Sequence, residues 1–276
     1  MLTLSIITVN YHSEAVLQRL LNSLQSLDHL PPTEWIIVNH TPDDPDLEKR
    51  LTRPQSISSL KVLFYPQNKG FGDGCNLGAR NSSGQLLFFL NPDCRFEGGS
   101  LSPIIERFRA DAGIAALGPR IRNSRGELEF SFDRFPGICR EAYLKAQKFC
   151  SSRLPLLQGA IHQRFNAFRR VDWITGGALL ARREAFLQVG GFDDGFFLYF
   201  EDTDLCKRLH QAGFRIGFDP SFSLIHDHGQ GGSAQTARGK PSTVYRQSQV
   251  RYYQKHKGKL SQLALKIYLR LTGKIE

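Results

Sequence analysis

No unbroken apolar run in the 276 residues exceeds five, the longest being Leu86-Leu87-Phe88-Phe89-Leu90. A bilayer-crossing helix needs roughly 20 such residues, so no segment of this sequence is a candidate span. No basic stretch precedes the first apolar residues, and polar Thr8, Asn10 and His12 follow at once, so no secretory signal is expected. Cysteine is scarce and badly spaced for cross-linking. Five residues (75, 94, 139, 150 and 206) form no C-x-x-C pair and are odd in number, which argues against a disulfide framework and a zinc knuckle. The expected compartment is therefore the reducing cytoplasm. Repeats and low-complexity tracts are missing too. What remains is ordinary globular composition, 41% hydrophobic and 22% charged, enough for one large α/β domain or two small ones.

Acids are outnumbered, 26 against 36 Lys and Arg, for a net charge of +10. Residues 238–276 hold ten of the bases and one acid, so the tail carries +9 and the body is nearly neutral. A basic tail suits a phosphate-rich partner, whether nucleic acid, an anionic membrane or a substrate diphosphate; a solvated surface helix is the plainer reading. From Leu260, the residues Leu263, Ala264, Ile267, Tyr268 and Leu271 follow at helical spacing and define one apolar face. Lys259, Gln262, Lys266, Arg270 and Lys274 fall largely opposite, while Leu265 and Leu269 stray to the polar side. Such a helix either packs on the domain or lies in a membrane interface.

Along the body, Leu4–Val9, Trp35–Val38, Leu60–Tyr65 and Leu86–Leu90 read as strands. Leu17, Leu20, Leu21 and Leu24 mark a helix after the first, and Leu77–Arg80 a short helix before the fourth. That order predicts a doubly wound α/β sheet whose ligands sit at the carboxyl ends of the strands. Polar residues cluster at those ends, in Asn10-Tyr11, Asn39-His40, Asn68-Lys69 and Asn91-Pro92-Asp93. Residues 119–171 show no clear period and read as an irregular or short-helical insertion. Beyond them, Trp173–Leu180 reads as a strand, Arg183–Val189 as a helix closed by Gly190-Gly191, and Glu201–Gln211 as a helix stopped by Gly213. Arg215–Phe218, ending at Pro220, and Phe222–Ile225 complete the pattern as two strands.

Four constellations carry chemistry. Gly70-Phe-Gly72-Asp-Gly74 invites a dinucleotide reading and fails it, because the closing Gly or Ala of G-x-G-x-x-G/A is Cys75 or Leu77. A tight turn, or a backbone passing close to a nucleotide, explains these glycines equally well. Asn91-Pro92-Asp93 aims a carboxylate into the strand-end cleft, where it could hold Mg²⁺ or Mn²⁺ on a diphosphate, or is a plain turn. Glu201-Asp202-Thr203-Asp204 opens a helix, where acids also serve the helix dipole; the aromatic run 196–200 before it favours a water-poor pocket and a general base. His226-x-His228 supplies nitrogen ligands for a mixed N/O site, or a hydrogen-bonded loop pair.

Taken in order, T-V-N-Y (8–11), N-K-G-F-G (68–72), L-N-P-D (90–93), D-W-I-T-G-G (172–177), the segment 190–209 and I-H-D-H (225–228) resemble the family 2 inverting glycosyltransferases. The resemblance spans roughly 3–260 and is most specific in F-F-x-Y-F-E-D-x-D-L. With G-E-L-E-F-S-F-D-R-F-P (126–136), it points to the rhamnosyltransferase-like branch of bacterial cell-surface polysaccharide enzymes. It implies a GT-A fold, a Rossmann-like αβα sandwich around a mostly parallel sheet. It further implies a UDP- or dTDP-linked sugar donor, with rhamnose a candidate, a saccharide or polyprenyl-linked acceptor, and a divalent cation, Mn²⁺ or Mg²⁺.

Carried over by position, the resemblance assigns Val9, Asn10 and Tyr11 to the base, with Asn39 where the family has a base-reading Asp. Asn68, Lys69, Gly72, Asn76 and Asn91 join them on the donor, and Trp173, Gly176, Gly177 and Glu201 on the acceptor. Asp93 and His226 become metal ligands, with His228 a rival, and Asp202 the base of a single inverting displacement. Arg246–Lys259 matches a region that closes over the donor diphosphate. The implied organisation is a catalytic domain at 1–237, nucleotide-binding in 1–118 and acceptor-binding in 119–237, with a helical tail at 238–276. The implied location is the cytoplasm or the inner face of the plasma membrane. A nucleic-acid module would leave Asp93 and Asp202 without a role, so no nucleic acid is expected. The alternative is an inactive relative serving as a scaffold, which only Asn39 supports.

Overall fold

A computed structural model of the chain describes residues 3–138, 140, 163–227 and 241–274. Its first half runs β1 (Leu4–Asn10), α1 (Glu14–Ser23), β2 (Thr33–Asn39), α2 (Leu47–Arg50), β3 (Ser59–Phe64), α3 (Phe71–Arg80) and β4 (Leu86–Leu90). Short β5 (Cys94–Phe96), α4 (Ser102–Ala110), β6 (Ile114–Asn123) and β7 (Phe132–Asp133) follow. The second half supplies β8 (Arg169–Val171), β9 (Trp173–Ile174), β10 (Ala178–Arg182), α5 (Arg183–Gln188), α6 (Glu201–Gln211) and β11 (Arg215–His226). The helices α7 (Pro241–His256) and α8 (Lys259–Leu271) form the tail.

Among the described residues nine strands make one sheet, in the order β3-β2-β1-β4-β10-β6-β11-β5, with β8 beside β11. β1, β2, β3, β4, β6 and β11 run one way; β5, β8 and β10 oppose them. β4 is apolar without a break, and β1 nearly so apart from Ser5, Thr8 and Asn10, because helices cover both faces. Leu4, Ile6 and Phe88 meet α1 and α4 through Leu17, Leu20 and Phe108. Their neighbours Ile7, Leu87 and Phe89 point the other way, onto Ala79, Phe186, Leu205 and Leu209 of α3, α5 and α6. The result is the αβα sandwich expected.

Four expectations need correction. α3 starts at Phe71, six residues before the expected helix, so Gly72 and Gly74 are helical. Gly74 and Gly78 let α3 lie directly on β1: a Cβ there would stand 2.8 Å from Val9 Cγ2 and 2.5 Å from Ile7 Cγ2, respectively. β6 reaches Asn123 and so replaces the start of the expected irregular insertion with sheet core. The strand expected over 173–180 breaks into β9 and β10, because the amide of Gly176 turns to the carboxylate of Asp202 at 2.8 Å. Pro220 does not end a strand: β11 runs through it on a register shift between Asp219 and Ser223, a place where a missing N–H costs no ladder bond.

The tail also departs from expectation. α7 spends its charge on the body: Asp193 accepts from Arg251 at 3.1 Å and Lys255 at 2.6 Å, and buried Asp204 accepts from Lys255 and His256, both at 2.7 Å. On α8 the straying Leu265 and Leu269 are the buried ones, packed with Phe196, Phe200, Tyr252 and Tyr253. The expected apolar face, including Leu260 and Leu263, is exposed.

Candidate active site

The strand ends open into one long cleft. β4 stops at Leu90, and Asn91-Pro92-Asp93 turns there, with the Cys94 amide donating to the Asn91 carbonyl at 3.1 Å. The turn swings Asp93 toward the last residue of β11. His226 Nε2 lies 3.1 Å from Asp93 Oδ1, and its Nδ1 lies 3.4 Å from Glu129 Oε2. Burial opposes charge on this imidazole, but hydrogen bonds to the two carboxylates outweigh it and push its pKa up to about 9. It is therefore an imidazolium near neutrality, donating on both sides.

That arrangement fits a divalent cation. Asp93 and His226 offer one oxygen and one nitrogen on the cleft wall, the mixed set Mn²⁺ accepts, and a cation between them would take the place of the shared proton. Glu129 would hold the other ring nitrogen and so fix the imidazole. Among the described residues no three His, Cys, Asp or Glu side chains converge on a point, so most positions of an ion would be left to a diphosphate or water. His228 lies outside the described residues.

Opposite this pair stands the head of α6. Tyr199 and Phe200 both adopt left-handed backbone, φ +69° and +67°, a strained approach for bulky residues, and it delivers Glu201 and Asp202 to the cleft. Asp202 accepts from the Gly176 amide at 2.8 Å, the Thr203 amide at 2.6 Å and the Thr203 hydroxyl at 3.1 Å. Burial raises its pKa against those donors. Glu201 is more isolated. Its Oε2 has no partner, and burial, then the neighbouring Asp202, push it up to about 8. Burial thus opposes charge on both, most on Glu201, while its three donors favour the charged form of Asp202. Asp204, the other acid of the cluster, is fully buried in its ion pairs with Arg208 and Lys255 and its hydrogen bond from His256, and does not line the cleft.

The far arm of the cleft is lined by Val9, Tyr11, Asn68 and Asn91, which the resemblance assigns to the donor, by Gly70 of the glycine run, His40 of the strand-end cluster and Phe197 of the aromatic run, and by Phe71, which was not singled out. Gly70, at φ +121°, admits the Phe197 carbonyl where a Cβ would stand 2.3 Å from it. Trp173, Gly176, Gly177 and Glu201, the expected acceptor residues, line the other arm together. Other sequence candidates stand elsewhere. Asn39 is wholly buried, and its Oδ1 already accepts from Asn10 Nδ2 at 2.8 Å and the Thr41 amide at 3.2 Å. Asn10 is held in the same network. Asn76 clamps the Phe192 backbone with both ends of its amide, and Gly72 packs under Phe192, so neither lines the cleft. Lys69 is exposed outside it.

Sequence reading assigned no role to Glu129, Phe130, Thr175 and Tyr245, all at this site, whereas Tyr199 belongs to the aromatic run expected to line it. Glu129 had a signal: it stands in the G-E-L-E-F run already singled out. Tyr245 had none, because α7 carries no apolar periodicity to show which side faces the body.

The family model described as "Glycosyl transferase family 2" matches residues 5–187, and one described as "N-terminal domain of galactosyltransferase" matches 160–227. The N-acetylglucosaminyl-diphospho-decaprenol L-rhamnosyltransferase of Mycobacterium tuberculosis is 28% identical over 235 residues, 81% of this chain and 75% of the relative. The rhamnosyltransferase WbbL of Escherichia coli is 26% identical over 229 residues, 80% of this chain and 82% of the relative. Among solved structures, GalNAc-T7 with UDP, GalNAc and Mn²⁺ superposes at TM-score 0.61 and 18% identity, over 90% of this chain and 47% of that one. The Pyrobaculum calidifontis mannosyltransferase PcManGT, in complex with GDP-Man and Mn²⁺, does so at 0.59 and 16%, over 97% and 70%. Those likenesses identify the sandwich as the GT-A fold. With two thirds of its length covered by the family model, the chain belongs to glycosyl transferase family 2.

Proposed function

We propose that this glycosyltransferase moves a deoxyhexose of the rhamnose class from a nucleoside-diphosphate donor to a hydroxyl of a lipid-linked saccharide, in cell-surface polysaccharide assembly, with inversion at the anomeric carbon. The names of the two rhamnosyltransferase relatives support the sugar and the acceptor class. One observation supports the chemistry: Asp202, its carboxylate held by three donors, lines the same cleft as the hydrogen-bonded pair Asp93–His226.

In this reading the donor's base lies against Val9 and Tyr11, and its diphosphate beside Asn91 and Asp93. The acceptor enters between Trp173 and Tyr245. Asp202 Oδ takes the hydroxyl proton; the acceptor oxygen forms a bond to the anomeric carbon from the face opposite the diphosphate, and the carbon–oxygen bond to the diphosphate breaks. Protonated Glu201 adds no second negative charge to the acceptor side. A divalent ion held by Asp93 and His226 would offset the charge gathering on the departing diphosphate.

The test is a panel of UDP- and dTDP-linked sugars offered with a polyprenyl-diphosphate N-acetylglucosamine, with Mn²⁺ and with EDTA. Inverted product from one 6-deoxyhexose donor, lost in EDTA, is the expected result. Product of retained configuration, or transfer from hexose donors only, overturns the reading.

A further inference from the structure

The tail divides into two helices whose charge is used differently. On α7, Arg251, Lys255 and His256 are engaged with Asp193 and Asp204. On α8, Lys259, Lys266 and Arg270 are exposed and meet no acid among the described residues, and 259–274 contains no Asp or Glu.

The same helix exposes a second feature. Leu260 is 84% exposed, Leu263 55%, Ile267 49% and Leu271 83%, while Leu265 and Leu269 are sealed against the body. At about 100° per residue the four exposed side chains, with Ala264 beside them, fill a sector of roughly 100°. Lys259, Lys266 and Arg270 fill the adjoining sector of roughly 40°, and Lys274 follows just past the helix end. The buried pair lies opposite both, so the body fixes which way the apolar and basic bands face. Exposed leucines in so dense a row are unusual on a free surface.

We infer that α8 is a docking face for an anionic bilayer, on which the helix lies flat with Leu260, Leu263, Ile267 and Leu271 in the acyl boundary and the four cations at the headgroups. Charge complementarity selects this occupant. A second copy seated on the same face by two-fold symmetry would bring eight cations together with no acid to meet them. Thirteen residues span about 20 Å, too short to cross, and no described helix is long and apolar enough to do so. A short amphipathic helix with a basic flank lies in the interface instead. Phe200, in one buried cluster with Leu265 and Leu269, also lines the cleft, so docking holds that arm of the cleft one helix diameter, ~10 Å, from the lipid surface. The inference does not depend on which sugar is transferred.

Flotation of the full chain with phosphatidylglycerol-containing vesicles, against pure phosphatidylcholine, tests it. Binding should require the anionic lipid and fall steeply with salt. The triple variant K259E/K266E/R270E should partition at least about 100-fold less, since each cation near an anionic surface is worth roughly five-fold. L263S/I267S should lose the salt-resistant part of binding with an unchanged melting temperature, because neither side chain is in the core. Equal binding to neutral vesicles, no binding to either, or unaltered binding by both variants overturns the inference. So does a concentration-dependent dimer in sedimentation velocity that L263S/I267S abolishes, which would make the face a protein interface.

Discussion

Glu201 and Asp202 are neighbours in sequence and share a cleft wall, yet their surroundings treat negative charge differently. Asp202 has three donors, two of them backbone amides held by the β9–β10 turn and the helix start. Glu201 has an orphan oxygen in an aromatic setting. Asp202→Asn preserves shape and removes the proton acceptor, so turnover should fall by on the order of 10³-fold while donor affinity, read by calorimetry, stays within a few-fold. Retention of a tenth of the rate would assign the proton to another group.

The Glu201 environment also predicts the sign of a stability effect. Its folded pKa is raised, from the ordinary 4.5 to about 8, so the folded state holds a proton that the unfolded chain has released. This contribution is fully present below about pH 4.5 and is lost as pH rises toward 8. Glu201→Gln cannot titrate. Its melting temperature should fall less than that of the natural protein between pH 5 and about pH 8, with the two curves separating upward in pH. Parallel curves would mean that the buried carboxyl is charged throughout.

At the scale of elements, α6 is the piece on which the site depends, and Asp204 ties it to the tail. Its carboxylate accepts from Arg208, Lys255 and His256 while fully buried. Asp204→Ala would leave Arg208 and Lys255 without their buried carboxylate; the cost should be about 3 kcal/mol, read by urea unfolding. Lys255→Met, which removes one half-exposed partner and keeps the carboxylate paired, should cost far less. Similar losses would show that the charge network is not what holds α7 in place.

The same elements show how far the sequence could be read. β1, β2, β4 and α6 were legible because each carries its own period or an unbroken apolar run, and Gly213 marks where α6 stops. Asp93, Asp202 and His226 were legible because strand and helix ends deliver them. α3 was hidden by glycines that normally end helices, and their reason, contact of Gly72 with Phe192 and of Gly74 and Gly78 with Val9 and Ile7 of β1, is tertiary. β6 was hidden by Gly118 and Pro119 within it, and the turn between β9 and β10 by a hydrogen bond to a residue 26 positions away. Asn39 was read as a base contact because its position matches the family's. That its acceptor is taken by Asn10 and Thr41 is visible only once β1 and β2 lie side by side.

The whole molecule depends on one crossing of the chain. β10, from the second half, is inserted between β4 and β6 of the first, pairing with both. β11, also from the second half, covers the far side of β6 over nine registered residues. Residues 1–118 therefore contain a sheet whose core strand β4 has no neighbour on one side and whose β6 is cut in two. The apolar layers on both faces draw residues from each half: Ala178 and Leu224 join the α1–α4 side, and Phe186 and Leu205 the α3 side. Exposing either layer leaves conformational entropy unopposed across the whole sheet. The sandwich should accordingly melt as one unit in calorimetry, with equal calorimetric and van't Hoff enthalpies, and 1–118 expressed alone should show no cooperative transition and bind a hydrophobic dye. A fragment 1–118 that melts sharply and binds nucleotide would mean that the two halves fold independently and that the site assembles only when they meet.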